Sequence, residues 1–241
     1  MVGASGMWMT LQYPNPSEVT GLYNSGSRGG TAFYNRRISA SQYAGVTYQY
    51  ADTLTHPANA SSETVTQGIS AFYTIYPMST LSVSVSGGPQ HYQVAQTALP
   101  TLSSWGPSVT TSMGWQGRYA TFAASYSQSV TGGGGLLGAY HSKSANGAVR
   151  LKLSRTWTIG ASASYSINKS VTPLLLGGIQ GGHTVSGTIR VEHPVGKQLS
   201  LSFEYDRLHE SYGGIPSISA NPNSNRETIA LSWQFMRPLG K

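Results

Sequence analysis

Residues 156–168 read TWTIGASASYSIN, with Trp157, Ile159, Ala161, Ala163, Tyr165 and Ile167 at alternate positions. Between them stand Thr156, Thr158, Gly160, Ser162, Ser164 and Ser166. A period of two puts the two sets on opposite faces of a β-strand. One face is apolar with aromatics near both ends, and the other is small and hydroxylated. The pattern recurs. Ala44, Val46, Tyr48 and Tyr50 alternate with Tyr43, Gly45, Thr47 and Gln49. Ala120, Phe122, Ala124 and Tyr126 alternate with Thr121, Ala123, Ser125 and Ser127. Leu199, Leu201, Phe203 and Tyr205 alternate with Ser200, Ser202, Glu204 and Asp206.

Strands are predicted over 7–13, 31–37, 42–52, 63–76, 80–94, 108–115, 118–129, 140–153, 156–168, 184–193, 198–208 and 227–235. The connections alternate between long and short. The long ones (14–30, 53–62, 95–106, 131–138, 169–182 and 209–225) are rich in Gly, Pro, Ser and Asn, the residues of loops. No helix-period segment stands out. The prediction is an all-β chain: a single domain over 1–241, forming one closed up-and-down antiparallel barrel of about twelve strands. Long loops gather at one end, and short turns and both termini at the other. Closure removes the unpaired edges that a meander would expose.

Alternation has no sign, so composition must choose which face is outside. The chain has 241 residues, of which 10% are charged, against about 25% in a typical soluble domain. The polar parity is mostly Ser, Thr, Gly and Ala, not the charged set a soluble exterior needs. Aromatics recur near strand ends on the apolar parity: Tyr48, Tyr50, Trp115, Tyr126, Trp157, Tyr165, Tyr205, Trp233 and Phe235. Such positions suit interfacial girdles. The strands are also long enough to cross a bilayer when tilted. The apolar face is therefore read as facing lipid. A soluble barrel or sandwich is the weaker reading.

Charge and motifs exclude several classes. The net charge is +7 and the pI about 9.6, but no basic run exceeds the pair Arg36–Arg37, so nucleic-acid binding is not expected. There is no Cys, which excludes a disulfide scaffold and a Cys-based zinc site. The six His show no metal-ligand spacing, and no cofactor is expected. The four glycines from Gly132 to Gly135 lack the Lys-Ser/Thr of a phosphate loop. No run approaches a spanning helix, and residues 1–15 show no signal peptide.

With these features the chain resembles a bacterial outer-membrane β-barrel, porin-like and of about twelve strands. The resemblance is one of architecture over nearly the whole chain. The closing stretch ETIALSWQF looks like the terminal strand such proteins use in assembly, although MRPLGK follows Phe235 where the aromatic normally comes last. The resemblance implies the outer membrane, with the bilayer and lipopolysaccharide as lipid partners and the short turns on the periplasmic side. Those turns carry Arg36, Arg37, Arg118, Arg155 and Lys197.

The inward parity holds Arg150, Lys152, Arg190, Glu192, Glu204 and Asp206. They form either a charged constriction that selects solutes or a salt-bridge brace filling the lumen. The leading functional reading is a narrow passive channel for small solutes or ions. The alternative is a non-conducting barrel that binds an envelope partner through its long loops. A barrel lipase is the remote third. His141, Ser142, Ser144 and Asn146 lie close in sequence, but parity puts His141 opposite the two serines, and no enzyme activity is expected.

Overall fold

The computed structural model describes residues 1–12, 23–56, 61–97, 99–132, 138–171, 181–196, 198–213 and 222–233. Twelve strands follow one another: β1 (Val2–Leu11), β2 (Asn24–Ser39), β3 (Gln42–His56), β4 (Ser62–Met78), β5 (Leu81–Gln96) and β6 (Leu102–Gln116). The second half holds β7 (Ala120–Gly132), β8 (Ala139–Lys152), β9 (Thr158–Ser170), β10 (Gly181–Pro194), β11 (Leu199–Tyr212) and β12 (Asn223–Trp233). They form one antiparallel sheet in sequence order, β1 to β12. No pairing of β1 with β12 occurs among the described residues. The expected class, an all-β up-and-down barrel of twelve strands with its long connections at one end, is the one present.

The register fixes the tilt. One hydrogen-bonded row starts at Val2 and passes through Tyr34, Val46, Ala71, Gly87, Val109, Gln128, Lys143, Ile167 and His183 to Ser211. It begins at the short-turn end of β1 and finishes one residue from the long-loop end of β11. Ten strand steps of about 4.8 Å therefore meet a climb of about twelve residues at 3.3 Å each, a tilt of about 40°. Barrel walls tilt by about 35–45°.

The strands run further toward the long loops than their hydrophobic pattern does. Residues 24–30 (NSGSRGG), expected in a loop, belong to β2; 25–30 pair with both β1 and β3, and Asn24 pairs with β3. Likewise β6 begins at Leu102 instead of 108, β11 reaches Tyr212, and β12 begins at Asn223. The first strand is shifted as well, to Val2–Leu11. Above the apolar band both faces are polar, so the sequence loses its period while backbone pairing continues. At the other end β9 starts at Thr158, and Thr156 and Trp157 belong to the turn. There Ser154 Oγ accepts the backbone N–H groups of Thr156 (3.2 Å) and Trp157 (3.1 Å).

The two parities separate as expected. Ile69, Val85 and Ile189 stand about half exposed on the apolar face, at 55%, 49% and 54%. On the opposite face hydroxyls pair across strands: Thr74 with Ser84 (2.9 Å), Ser127 with Ser144 (2.7 Å) and Ser164 with Ser186 (2.6 Å). One inward ring packs on a glycine of the next strand. Phe72 covers Gly45, where an added Cβ would lie 2.6 Å from the ring.

The buried core sits off centre, at the long-loop end. The β6–β7 ladder stops at Val109↔Gln128. Above it the β7–β8 tip leaves β6 and lies against the lumen face of β3 to β5. Val130 and Ala139, of outward parity, are buried there against Tyr92 and Val94, of inward parity, with Leu102 beside them. Gly132 lies against Thr53. Leaving β6 frees the backbone N–H and C=O of Val130, and a buried free peptide group is costly. Both are taken by the Gln90 side chain. Oε1 accepts from Val130 N at 2.8 Å, and Nε2 donates to Val130 O at 2.7 Å.

Candidate pore and its two side-chain clusters

Along the inner face, Ser82, Ser112, Ser125, Asn146, Ser162 and Ser164 line a cavity of about 460 Å³. Small hydroxylated residues leave room that larger ones would fill, and they offer water both donors and acceptors. The lumen wall is therefore wettable along β5 to β10.

Toward the short turns the predicted charges assemble across three strands. Arg150 on β8 donates to Glu192 on β10 at 2.6 Å. Arg190 contacts Glu192 at 3.0 Å and Glu204 on β11 at 3.7 Å. The intervening strand allows the reach. Gly160 of β9 stands opposite both Arg150 and Arg190, with no side chain between them. Glu192 is thus the centre of the ladder. Its exposure is 29%, against 59% for Arg150, so the group is hydrated and not sealed. Two of the six charges stand apart. Asp206 accepts a hydrogen bond from Thr188 Oγ1 at 2.6 Å, and no ion pair among the described residues involves Lys152. Arg226, which the sequence reading passed over, lies opposite Asp206 in the β11–β12 register.

A second cluster lies at the β7–β8 tip, against the inward side chains of β5. Gln90, Tyr92, Val94, Val130, Ala139 and Tyr140 carry it, and sequence reading had picked out none of them for a site. One signal was available. On β5 the inward parity runs Ser82, Ser84, Ser86, Gly88, Gln90 and then turns apolar at Tyr92 and Val94, which a wet wall does not require. His141 stands against Tyr92, with ring centroids 6.2 Å apart. It faces away from Ser142 and Ser144, as parity had implied.

The aromatics form two levels. Trp115 and Trp233 lie at the short-turn ends of β6 and β12, and Trp157 stacks on His193 at 4.4 Å in the adjoining turn. Tyr126, Tyr165 and Tyr205 sit six or seven residues up their strands, about 15–18 Å along the axis at this rise and tilt. Two of their hydroxyls find polar partners: Tyr126 donates to Gln128 (3.2 Å) and Tyr205 to Asn225 (3.3 Å). Phe235 and Lys197 lie outside the described residues.

No family model matches the chain, and no curated protein matches it. Solved structures do. The FrpB iron transporter of Neisseria meningitidis (F5-1 variant, apoprotein form) superposes with a TM-score of 0.67 at 10% identity, over 88% of this chain and 42% of that one. The F3-3 variant gives 0.65 at 10% identity, over 89% and 41%. The chain thus spans about two-fifths of the length of the FrpB chains, and its sheet follows part of that larger wall. The NanC porin aligns over 97% of this chain and 99% of its own, at 11% identity and a TM-score of 0.42, a score that says nothing about function. The fold is that of bacterial outer-membrane β-barrels.

Proposed function

We propose that the chain is a narrow passive channel of the bacterial outer membrane for small hydrophilic solutes or ions. The observation that carries this reading is the hydroxyl-lined cavity leading to the half-exposed ladder of Arg150, Glu192, Arg190 and Glu204. Solutes exchange water for Ser and Thr hydroxyls along the wall, so passage requires no strong binding step. In the ladder two positive charges face two negative ones. The field is therefore nearly balanced, and selectivity among small ions is weak.

A second reading has its own support. The β7–β8 tip crosses the inner wall, and a tip that never moves makes the barrel a non-conducting scaffold. Gln90 separates the two. Gln90→Leu keeps the volume but leaves Val130 N–H and C=O without partners, at about 1–3 kcal/mol. The equilibrium between seated and released tip should shift by about 10- to 100-fold. Single-channel recording in planar bilayers should show small openings for the wild type and larger or longer ones for Gln90→Leu. Silence from both proteins, with insertion verified, would leave the scaffold as the function.

A further inference from the structure

Two prolines, Pro89 and Pro107, face each other in the β5–β6 register, and each marks a break in a ladder. Paired strands turn the N–H and C=O of alternate residues to opposite neighbours. At the foot of β6, Gln116 N donates to Thr80 O at 2.8 Å, and Gly117 N donates to Ala120 O at 2.8 Å. Both registers run upward from there without a shift. Even-numbered residues of β6 therefore bond β5, and odd-numbered ones bond β7. Pro107 is odd-numbered, so the N–H it lacks is one that β7 would use. The β6–β7 ladder ends at Val109↔Gln128, and the next hydrogen-bonded pair would be Pro107 with Val130. There the C=O of Val130 would find no donor. The ladder breaks at that pair, and Gln90 supplies both bonds instead. Pro89 breaks the other side of β5. Its parity bonds β4, as Thr97 N donating to Ser61 O at 3.1 Å shows, and Ile69 and Ser70 have no partner in the β4–β5 register.

Height makes the break at Pro107 tolerable. Above it Ser103 and Trp105 turn their N–H groups to an edge that β7 has left. They stand thirteen and eleven residues above Gln116, about 33 and 28 Å along the axis at this rise and tilt. An apolar band of about 25 Å ends below them, so water solvates that edge. Inside the band each free peptide group would be costly. Val130, of outward parity, suits two places: inside against Tyr92 and Val94, or on β6 facing out above the band. We propose that the β6–β7 seam is a slip joint with two seated forms. In the lapped form, the one described above, Gln90 holds Val130 and the tip lies on the lumen face. In the zipped form β7 regains β6, with Val130 opposite Pro107 and Gly132 opposite Trp105, and the tip leaves the lumen. Pro107 tips the balance toward the lapped form by withholding one ladder bond. The joint deepens the channel reading, on which it rests only where conductance is measured.

The chain has no Cys, so an engineered pair reports without interference. Gly106→Cys/Thr131→Cys puts two thiols directly opposite in the zipped form, at a pair without ladder bonds, where the strands bring side chains closest. In the lapped form a Cβ on residue 106 meets Val130 at 3.3 Å, and residue 131 turns to the other face of β7. The pair is built into the full chain in four backgrounds, wild type, Pro107→Ala, Gln90→Leu and Pro89→Ala. Each is folded into phosphatidylcholine vesicles, and the rate of disulfide formation is measured. One restored hydrogen bond shifts the equilibrium about tenfold, so Pro107→Ala should cross-link about tenfold faster. Gln90→Leu should also be faster, because the lapped form loses its clasp. Pro89→Ala restores a bond between β4 and β5 and should leave the rate unchanged. Equal rates in all four backgrounds, or an equal rise with Pro89→Ala, would overturn the joint. So would a tip released in Gln90→Leu, seen as faster exchange of the Val130 amide, that does not cross-link. Faster cross-linking in Pro107→Ala without larger openings in planar bilayers would keep the joint and sink the channel reading instead.

Discussion

Ile189→Arg should cost the inserted barrel about 2–4 kcal/mol, the penalty of a cation at mid-bilayer on the lipid face. Ile189 is outward and 54% exposed, five residues above the short-turn end of β10. At this rise and tilt it lies about 13 Å up the axis, near the middle of the apolar band. Its neighbour in the ladder on β9 is Ala161, too small to shield a charge. Ser162→Arg is the matched control, one residue along β9 and facing the wet cavity. Urea titration of both variants folded into phosphatidylcholine vesicles should show a lowered midpoint for the first and a nearly unchanged one for the second. Equal tolerance at the two sites would mean that the apolar parity does not meet lipid.

Glu192→Gln should shift ion preference toward anions by about fivefold, since removing one charge at contact distance in a wet lumen is worth about 1 kcal/mol. The geometry ranks the carboxylates. Glu192 contacts both Arg150 and Arg190, whereas Glu204 reaches only Arg190, at 3.7 Å. Glu204→Gln should therefore move the preference in the same direction but less. The guanidiniums are about half exposed, and solvent screening holds the loss of stability under about 1 kcal/mol. Reversal potentials in asymmetric salt report the preference, which should fade as salt rises. A large fall in thermal stability without any change in reversal potential would make the ladder a brace.

Much of this was legible because the wall is periodic. The parity of Ile159, Ala161 and Tyr165 against Ser162 and Ser164 gave the faces. Arg150 and Glu192 could be joined across β9 because the strand between them offers no bulky inward side chain. Height was harder to read. Ile159 carries the lipid-facing parity, yet it is the second residue of β9 and lies beside the turn. Strand ends were missed in SGSRGG, because backbone pairing there has no hydrophobic signature. The β7–β8 tip could not be inferred at all. Its apolar residues belong to opposite parities of different strands, and only the overlap of two walls brings Val130 to Tyr92.

That overlap also sets an order of events. Each ladder in the wall joins neighbours in sequence, so hairpins can zip one after another with little loop closure to overcome. Among the described strands the main non-adjacent contacts are those of β4 and β5 with β7, and Gln90 meets Val130 across 40 residues. The tip can seat only after the walls on both sides exist. It is therefore the last piece to lock and the first to loosen, and in hydrogen exchange the amide of Val130 should open well before its neighbours in the mid-wall ladder.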